Sequence, residues 1–193
     1  MIGIIDCGSG NVKSVENAFR KLGAEARVIS GPEKIGEAEK IVFPGVGNYG
    51  YTLGQLRARN MEAPLKKALR VGKPFLGICL GLQALFSESE ESPGVKGLGI
   101  FSGKVARFKE GKVPQIGWNY VKPVKNGLVE EGFAYFVNSY YAIPENEEIV
   151  AAKTKYFTEF ACAVQSGNIT AVQFHPEKSG AYGLKFLKRW LEC

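Results

Sequence analysis

At 193 residues, 45% of them hydrophobic, the chain has the size and composition of one globular domain with a real core, which excludes a fibrous or disordered protein. A formal charge of +6 could suit nucleic acid, but aromatic and basic residues do not interleave and there is no nucleic-acid motif or basic tail, so no such partner is expected. Cys7, Cys79, Cys162 and Cys193 show no paired spacing and the chain has a single histidine, which argues against a metal site.

In chain order, residues 2–6 read as a strand and 11–22 as a helix, followed by strands at 26–30 and 41–43. Helical segments at 53–59 and 62–71 lead to a short apolar strand bounded by Pro74, and a helix over 80–87 follows it. This alternation predicts a mainly parallel central sheet with flanking helices. The second half is β-rich, with strands at 105–108, 118–121, 134–142, 149–154, 161–165 and 170–174, and a hairpin turn at Ser166-Gly167-Asn168. A terminal helix over 180–191 closes what reads as a single α/β domain spanning 1–193, with no linker or repeat. Residues 1–5 are too short for a signal-peptide core and no run reaches membrane-spanning length, so a cytoplasmic protein with reduced thiols and no membrane contact is expected.

The only histidine, His175, stands in Gln173-Phe174-His175-Pro176-Glu177-Lys178, at the end of an alternating apolar run. An imidazole titrates near neutral pH without perturbation, so it is the natural proton carrier if the chain does such chemistry. Its nucleophile is found in Gly77-Ile78-Cys79-Leu80-Gly81, where Cys79 falls on the turn from strand to helix. Glycines on both sides permit a tight turn that exposes the nucleophile, and a helix N-terminus favours the thiolate. Alone, the pattern reads equally well as a buried cysteine with glycines for packing. The later His-x-Glu shifts the balance, because it supplies a base and, two residues on along an extended segment, a carboxylate to orient it.

Gly8-Ser9-Gly10-Asn11 follows the first strand, but Lys13 stands where a third glycine is needed and residues 28–30 lack the ribose-binding acid. It reads as a tight turn, and no cofactor is expected. Pro44-Gly45-Val46-Gly47 leaves the strand at 41–43 on the edge where sites in parallel sheets form, with glycines that let a peptide rotate. A plain flexible loop remains the other reading of this segment.

The elbow and the His-Pro-Glu motif together resemble those of the class I, triad-type glutamine amidotransferases. The resemblance runs from end to end, through Ile5-Asp6-Cys7-Gly8-Ser9-Gly10-Asn11, Phe43-Pro44-Gly45-Val46-Gly47-Asn48-Tyr49-Gly50, the elbow, Pro114-Gln115-Ile116-Gly117-Trp118-Asn119, Tyr135-Phe136-Val137-Asn138-Ser139-Tyr140 and the histidine motif. Leu82-Gln83 and the Pro-Gly-Val-Gly loop favour the branch of glutaminase subunits of imidazole glycerol phosphate synthase over anthranilate-type relatives.

The resemblance implies a Cys79, His175 and Glu177 triad that hydrolyses glutamine to glutamate and ammonia. It further implies oxyanion donors at Val46 or Gly47 and at Leu80, and glutamine contacts from Gln83, Glu91, Ser139 and Tyr140. The implied partner is a (βα)₈-barrel cyclase in a heterodimer with lyase activity, which uses the ammonia to form imidazole glycerol phosphate and aminoimidazole carboxamide ribotide in histidine biosynthesis. Trp118, Asn119, Tyr135 and Lys178 stand where that family meets the barrel, although Trp118 also reads as a core residue. Gln115 and Asn138 depart from the family, which often carries histidine there. A free-standing cysteine hydrolase and a catalytically silent subunit are the rival readings.

Overall fold

Runs such as Ile2-Gly3-Ile4-Ile5 and Phe75-Leu76-Gly77-Ile78-Cys79 are apolar on both faces, as strands covered by helices on either side must be. The computed structural model describes residues 1–8 and 12–193. The first half alternates β1 (Ile2–Ile5), α1 (Val12–Lys21), β2 (Ala26–Ile29), α2 (Pro32–Glu37), β3 (Lys40–Gly45), α3 (Tyr49–Ala58), α4 (Glu62–Arg70), β4 (Phe75–Cys79) and α5 (Leu80–Gln83). The second half holds β5 (Glu88–Ser89), β6 (Gly103–Arg107), β7 (Gln115–Pro123), β8 (Gly132–Asn138), β9 (Tyr140–Pro144), β10 (Val150–Tyr156), β11 (Thr158–Ser166), β12 (Ile169–Val172) and the closing helix α6 (Gly180–Leu191).

One sheet runs through both halves in the order β2-β1-β3-β4-β12-β11-β10-β7-β8, with β5, β6 and β9 joined at its side. The expected parallel character holds at the centre, where β2, β1, β3, β4 and β12 pair in parallel. From β11 outward the pairings are antiparallel. Strand alternation divides the core between the two faces. Ile4, Val42, Leu76, Ile78 and Val172 pack towards α1 and α6, where Phe19 meets Trp190 at 5.8 Å between ring centroids. Ile5, Ile41, Phe43 and Phe75 pack towards α3 and α4 through Leu53, Leu56, Leu65 and Leu69.

Several expected elements are corrected. The helix expected over 80–87 is a single turn, α5, because the carbonyls of Ala84 and Leu85 are taken by the N–H groups of Leu98, Ile100 and Phe101 instead of by further helix. The strand expected over 134–142 is two strands. The chain changes partners at Ser139, whose carbonyl accepts from Phe108 N, and passes from pairing with β7 to pairing with β6. Helix α2 was not expected, being six residues long, although Pro32 at its first turn is a readable start. Helix α3 begins four residues before the expected 53, at the cap Asn48, whose side chain accepts from Tyr51 N. The tight turn read at Gly8-Ser9-Gly10-Asn11 lies, beyond Gly8, outside the described residues. No helix among the described residues is long and apolar enough to cross a membrane.

Candidate active site

Three neighbouring parallel strands end at one place. In the ladder between β3 and β4, Gly45 stands across from Cys79, and Ile78 pairs with Val172 on the other side, three residues before His175. The loop after β3, the residue that ends β4 and the histidine after β12 therefore meet at the carboxyl edge of the sheet, the usual place for a site in such a fold.

Cys79 itself carries the strain of the elbow, with φ +55° and ψ −104°. The glycines beside it do not supply left-handed geometry; they supply room. A Cβ at Gly77 would lie 2.7 Å from the carbonyl oxygen of Gly81 and 3.0 Å from Ala171 Cβ, and one at Gly81 would collide with the Phe43 carbonyl of β3. The first turn of α5 thus lies against β3 and β4 closely enough to hold the nucleophile at a cavity of about 240 Å³. Val46, Gly47, Leu80, Gln83, Glu91, Ser139 and Tyr140 line it together with Cys79. The expected oxyanion and substrate residues are thus gathered around one thiol.

His175 and Glu177 are brought together differently from the expectation. Pro176–Lys178 form a tight 3-10 turn, so it is a turn and not an extended strand that folds the carboxylate back onto the ring. His175 Nδ1 and Glu177 Oε1 are 2.8 Å apart, with both side chains only 3% exposed. The histidine main chain is held as well: its N–H donates to the Tyr135 carbonyl, and the Ser179 hydroxyl donates to its carbonyl at 2.6 Å while accepting from Tyr135 N. The Nε2 side has no hydrogen bond, and Cys79 acts on the ring electrostatically. Burial opposes the charged ring, but Cys79 and Glu177 outweigh it and raise the imidazole pKa to about 10.

Glu91 is not on a helix. It lies in the irregular segment after β5 and accepts from Tyr49 N at 2.6 Å, while Ser92 accepts from Gly50 N, so the two cap α3 from outside. Burial raises the carboxyl pKa of Glu91, and the Tyr49 bond works against that rise. Gln83 donates to the Tyr140 carbonyl and to Gln173 Oε1, both at 3.1 Å. Gln173 was not singled out from the sequence, yet it is fully buried and its Nε2 donates to Cys79 Sγ at 3.5 Å. The signal is a polar residue at the end of an apolar run, two before His175. Gln115 and Asn138, opposite each other across β7 and β8, each bury a side-chain carbonyl oxygen with no partner.

The residues expected at a partner surface divide. Trp118 is 56% exposed, which removes the core reading, and its ring meets Tyr135 edge-on at 6.0 Å. Period-two alternation adds Ile116 and Tyr120 on β7 and Phe133 on β8 to this exposed strip. Lys178 is exposed on the turn after the histidine. Asn119 faces elsewhere, donating to the Lys155 carbonyl of β10. The strip lies close to Cys79, whose Sγ is 3.8 Å from the Val137 carbonyl oxygen of β8. No group of three potential metal ligands is found among the described residues, and all four cysteines are free thiols.

The arrangement can therefore attack a carbonyl with sulfur, hand over a proton and confine a substrate of amino-acid size. The profile of the family described as "Glutamine amidotransferase class-I" matches residues 3–192. The chain is 49% identical to the "Imidazole glycerol phosphate synthase subunit HisH" of Methanothermobacter thermautotrophicus, covering 100% of this chain and 98% of the relative. It is 45% identical to the protein of the same name in Pyrococcus furiosus, covering 98% and 97%. Among solved structures, one described as "Crystal structure of glutamine amidotransferase" superposes with a TM-score of 0.81 at 20% identity, over 99% of this chain and 97% of that one. The "Structure of PurLQS from Thermotoga maritima" gives 0.78 at 20% identity, with 99% and 97% coverage.

Proposed function

Since this chain belongs to the class-I glutamine amidotransferases, and within them to the HisH glutaminase subunits of imidazole glycerol phosphate synthase, we propose that its chemistry runs through Cys79, His175 and Glu177. The protein hydrolyses L-glutamine to L-glutamate and ammonia and delivers the ammonia for histidine biosynthesis. One domain over 1–193 carries this activity, a reading supported by the sheet that continues through both halves.

The Cys79 thiolate attacks the side-chain carboxamide of glutamine, forming a C–S bond and a tetrahedral oxyanion. Backbone amides of Val46 or Gly47 and of Leu80 receive that charge. The charged His175 ring gives its proton to the departing nitrogen, the C–N bond breaks and ammonia leaves. The sulfur is then held in a neutral thioester. It no longer favours the imidazolium, so the ring that has just lost its proton can take one from water in the second half-reaction. The hydroxide formed cleaves the thioester, releasing glutamate and returning Cys79 and the protonated ring. Glu177 orients the imidazole and stabilises its charged form through both halves. Glutamine is held by Gln83, Glu91, Ser139 and Tyr140.

The observation that supports this reading best is the meeting of Cys79, the loop after Gly45 and His175 at the ends of three adjacent strands. No metal or cofactor enters these steps, and none is required by the acyl-transfer route.

The partner is a (βα)₈-barrel cyclase, bound as a heterodimer on the strip of Ile116, Trp118, Tyr120, Phe133 and Tyr135, with Lys178 at its side. A strip of exposed aromatic side chains is what an interface anchor requires. The lyase step belongs to the assembled complex, not to this chain, and we place the protein in the cytoplasm. Glutamate release from the chain alone, and again with a barrel cyclase and its ribotide substrate, tests the partner reading. Low activity alone that rises strongly in the mixture supports it. High activity alone points to a free-standing hydrolase.

A further inference from the structure

We propose that Gln173 is a further catalytic residue, whose side-chain N–H holds the Cys79 sulfur in its thiolate form. The inference rests on Cys79 being the nucleophile. Which end of the Gln173 amide faces the sulfur follows from the network around it. The chain of bonds starts at the main-chain carbonyl of Tyr140, which can only accept, so the Gln83 atom 3.1 Å from it is the nitrogen. That same nitrogen lies 3.1 Å from Gln173 and must donate there too, which makes the facing Gln173 atom its oxygen. The other end of the Gln173 amide, 3.5 Å from Cys79 Sγ, is then the donor.

A donor aimed at a sulfur favours the charged form over the neutral thiol. Gln173 is fully buried, so water cannot replace this bond when the cavity fills. The same network joins the nucleophile to Gln83, one of the residues proposed to hold glutamine, and to the strand that carries Tyr140.

The test is the rate at which iodoacetamide alkylates Cys79 across a range of pH, followed on the Cys79 peptide by mass spectrometry because Cys193, an exposed thiol, reacts too. No glutamine is present, so the outcome does not depend on glutaminase activity, which is assayed separately. The variants are Gln173→Met, which removes the donor at similar volume, and Gln173→Glu, which keeps an acceptor for Gln83 but sets a carboxylate against the sulfur. Thermal unfolding of each identifies any variant that fails to fold.

Removing a hydrogen bond to a charged group predicts a pH profile of alkylation displaced upward by roughly one pH unit or more, with the rate returning to that of the wild type at high pH, where the thiol ionises without help. Gln173→Glu is expected to be displaced at least as far as Gln173→Met. A folded variant whose profile is not displaced, or whose rate falls equally at every pH, overturns the proposal, since misplacement of the sulfur would be felt at all pH values.

Discussion

Gly45, the last residue of β3, stands directly across the parallel ladder from Cys79, the last residue of β4. The loop that follows Gly45 therefore leaves the sheet beside the sulfur. Its Gly47 has φ +104°, and nothing lies within 4 Å of where a Cβ would be, so the backbone and not space restricts this position. A side chain strained by about 1–3 kcal/mol would turn the peptide away. Gly47→Ala is predicted to lower kcat by about a hundredfold, the typical loss of one oxyanion donor, with little change in KM. Steady-state glutaminase kinetics check it, and an unchanged kcat would remove the loop from the mechanism.

Gly81 differs, because its Cβ would strike the main-chain carbonyl of Phe43, which cannot move without β3. Gly81→Ala is predicted to cost about 3 kcal/mol of stability or more, at the upper end for overpacking. Denaturant unfolding measures it, and a loss below about 1 kcal/mol would mean that the elbow is not packed as described.

The single histidine makes the charge state of the triad directly observable, since one set of ring signals reports it in ¹⁵N-histidine NMR. The ring is predicted to be charged at pH 7, with a midpoint of about 10. Cys79→Ala and Glu177→Gln should each lower that midpoint, as each removes a group that favours the imidazolium. A folded-state pKa above the ordinary 6.5 contributes stability in full below pH 6.5, and that contribution is lost as pH rises towards about 10. Unfolding free energy should therefore slope downward across this window, less steeply in Cys79→Ala. A wild-type midpoint near 6.5 would contradict the pairing.

Much of this was legible in the sequence because it rests on local rules. Short continuous apolar runs mark the central strands, and the spacing around Cys79 and His175 marks the elbow and the base. What was not legible came from pairing between distant segments. The short α5 ends because Leu98 and Ile100 take the carbonyls of Ala84 and Leu85 just beyond it, and the break at Ser139 exists because β6 and β7 pair with different strands. Residues 177 and 175 were expected to meet along a strand and meet instead across a turn. Gln173 is invisible as a donor to sulfur until β12 lies beside β4.

The exposed strip of β7 and β8 separates folding from association. Trp118→Ala and Phe133→Ser are predicted to change the stability of the isolated chain by less than about 0.5 kcal/mol, because both side chains are largely exposed. Each should weaken binding of the cyclase partner by about 2 kcal/mol or more if it is an anchor. Calorimetric titration with the partner, alongside unfolding of the chain alone, distinguishes the two. Unchanged affinity in both variants would move the interface elsewhere.

The most direct test of the account is the covalent one: incubation with a glutamine-shaped alkylating analogue, followed by peptide mass spectrometry. One label per chain on Cys79, prevented by excess glutamine and absent from Cys79→Ala, is the predicted result. No label with the partner present, or a label on Cys193 that glutamine does not prevent, would contradict a glutaminase built on Cys79.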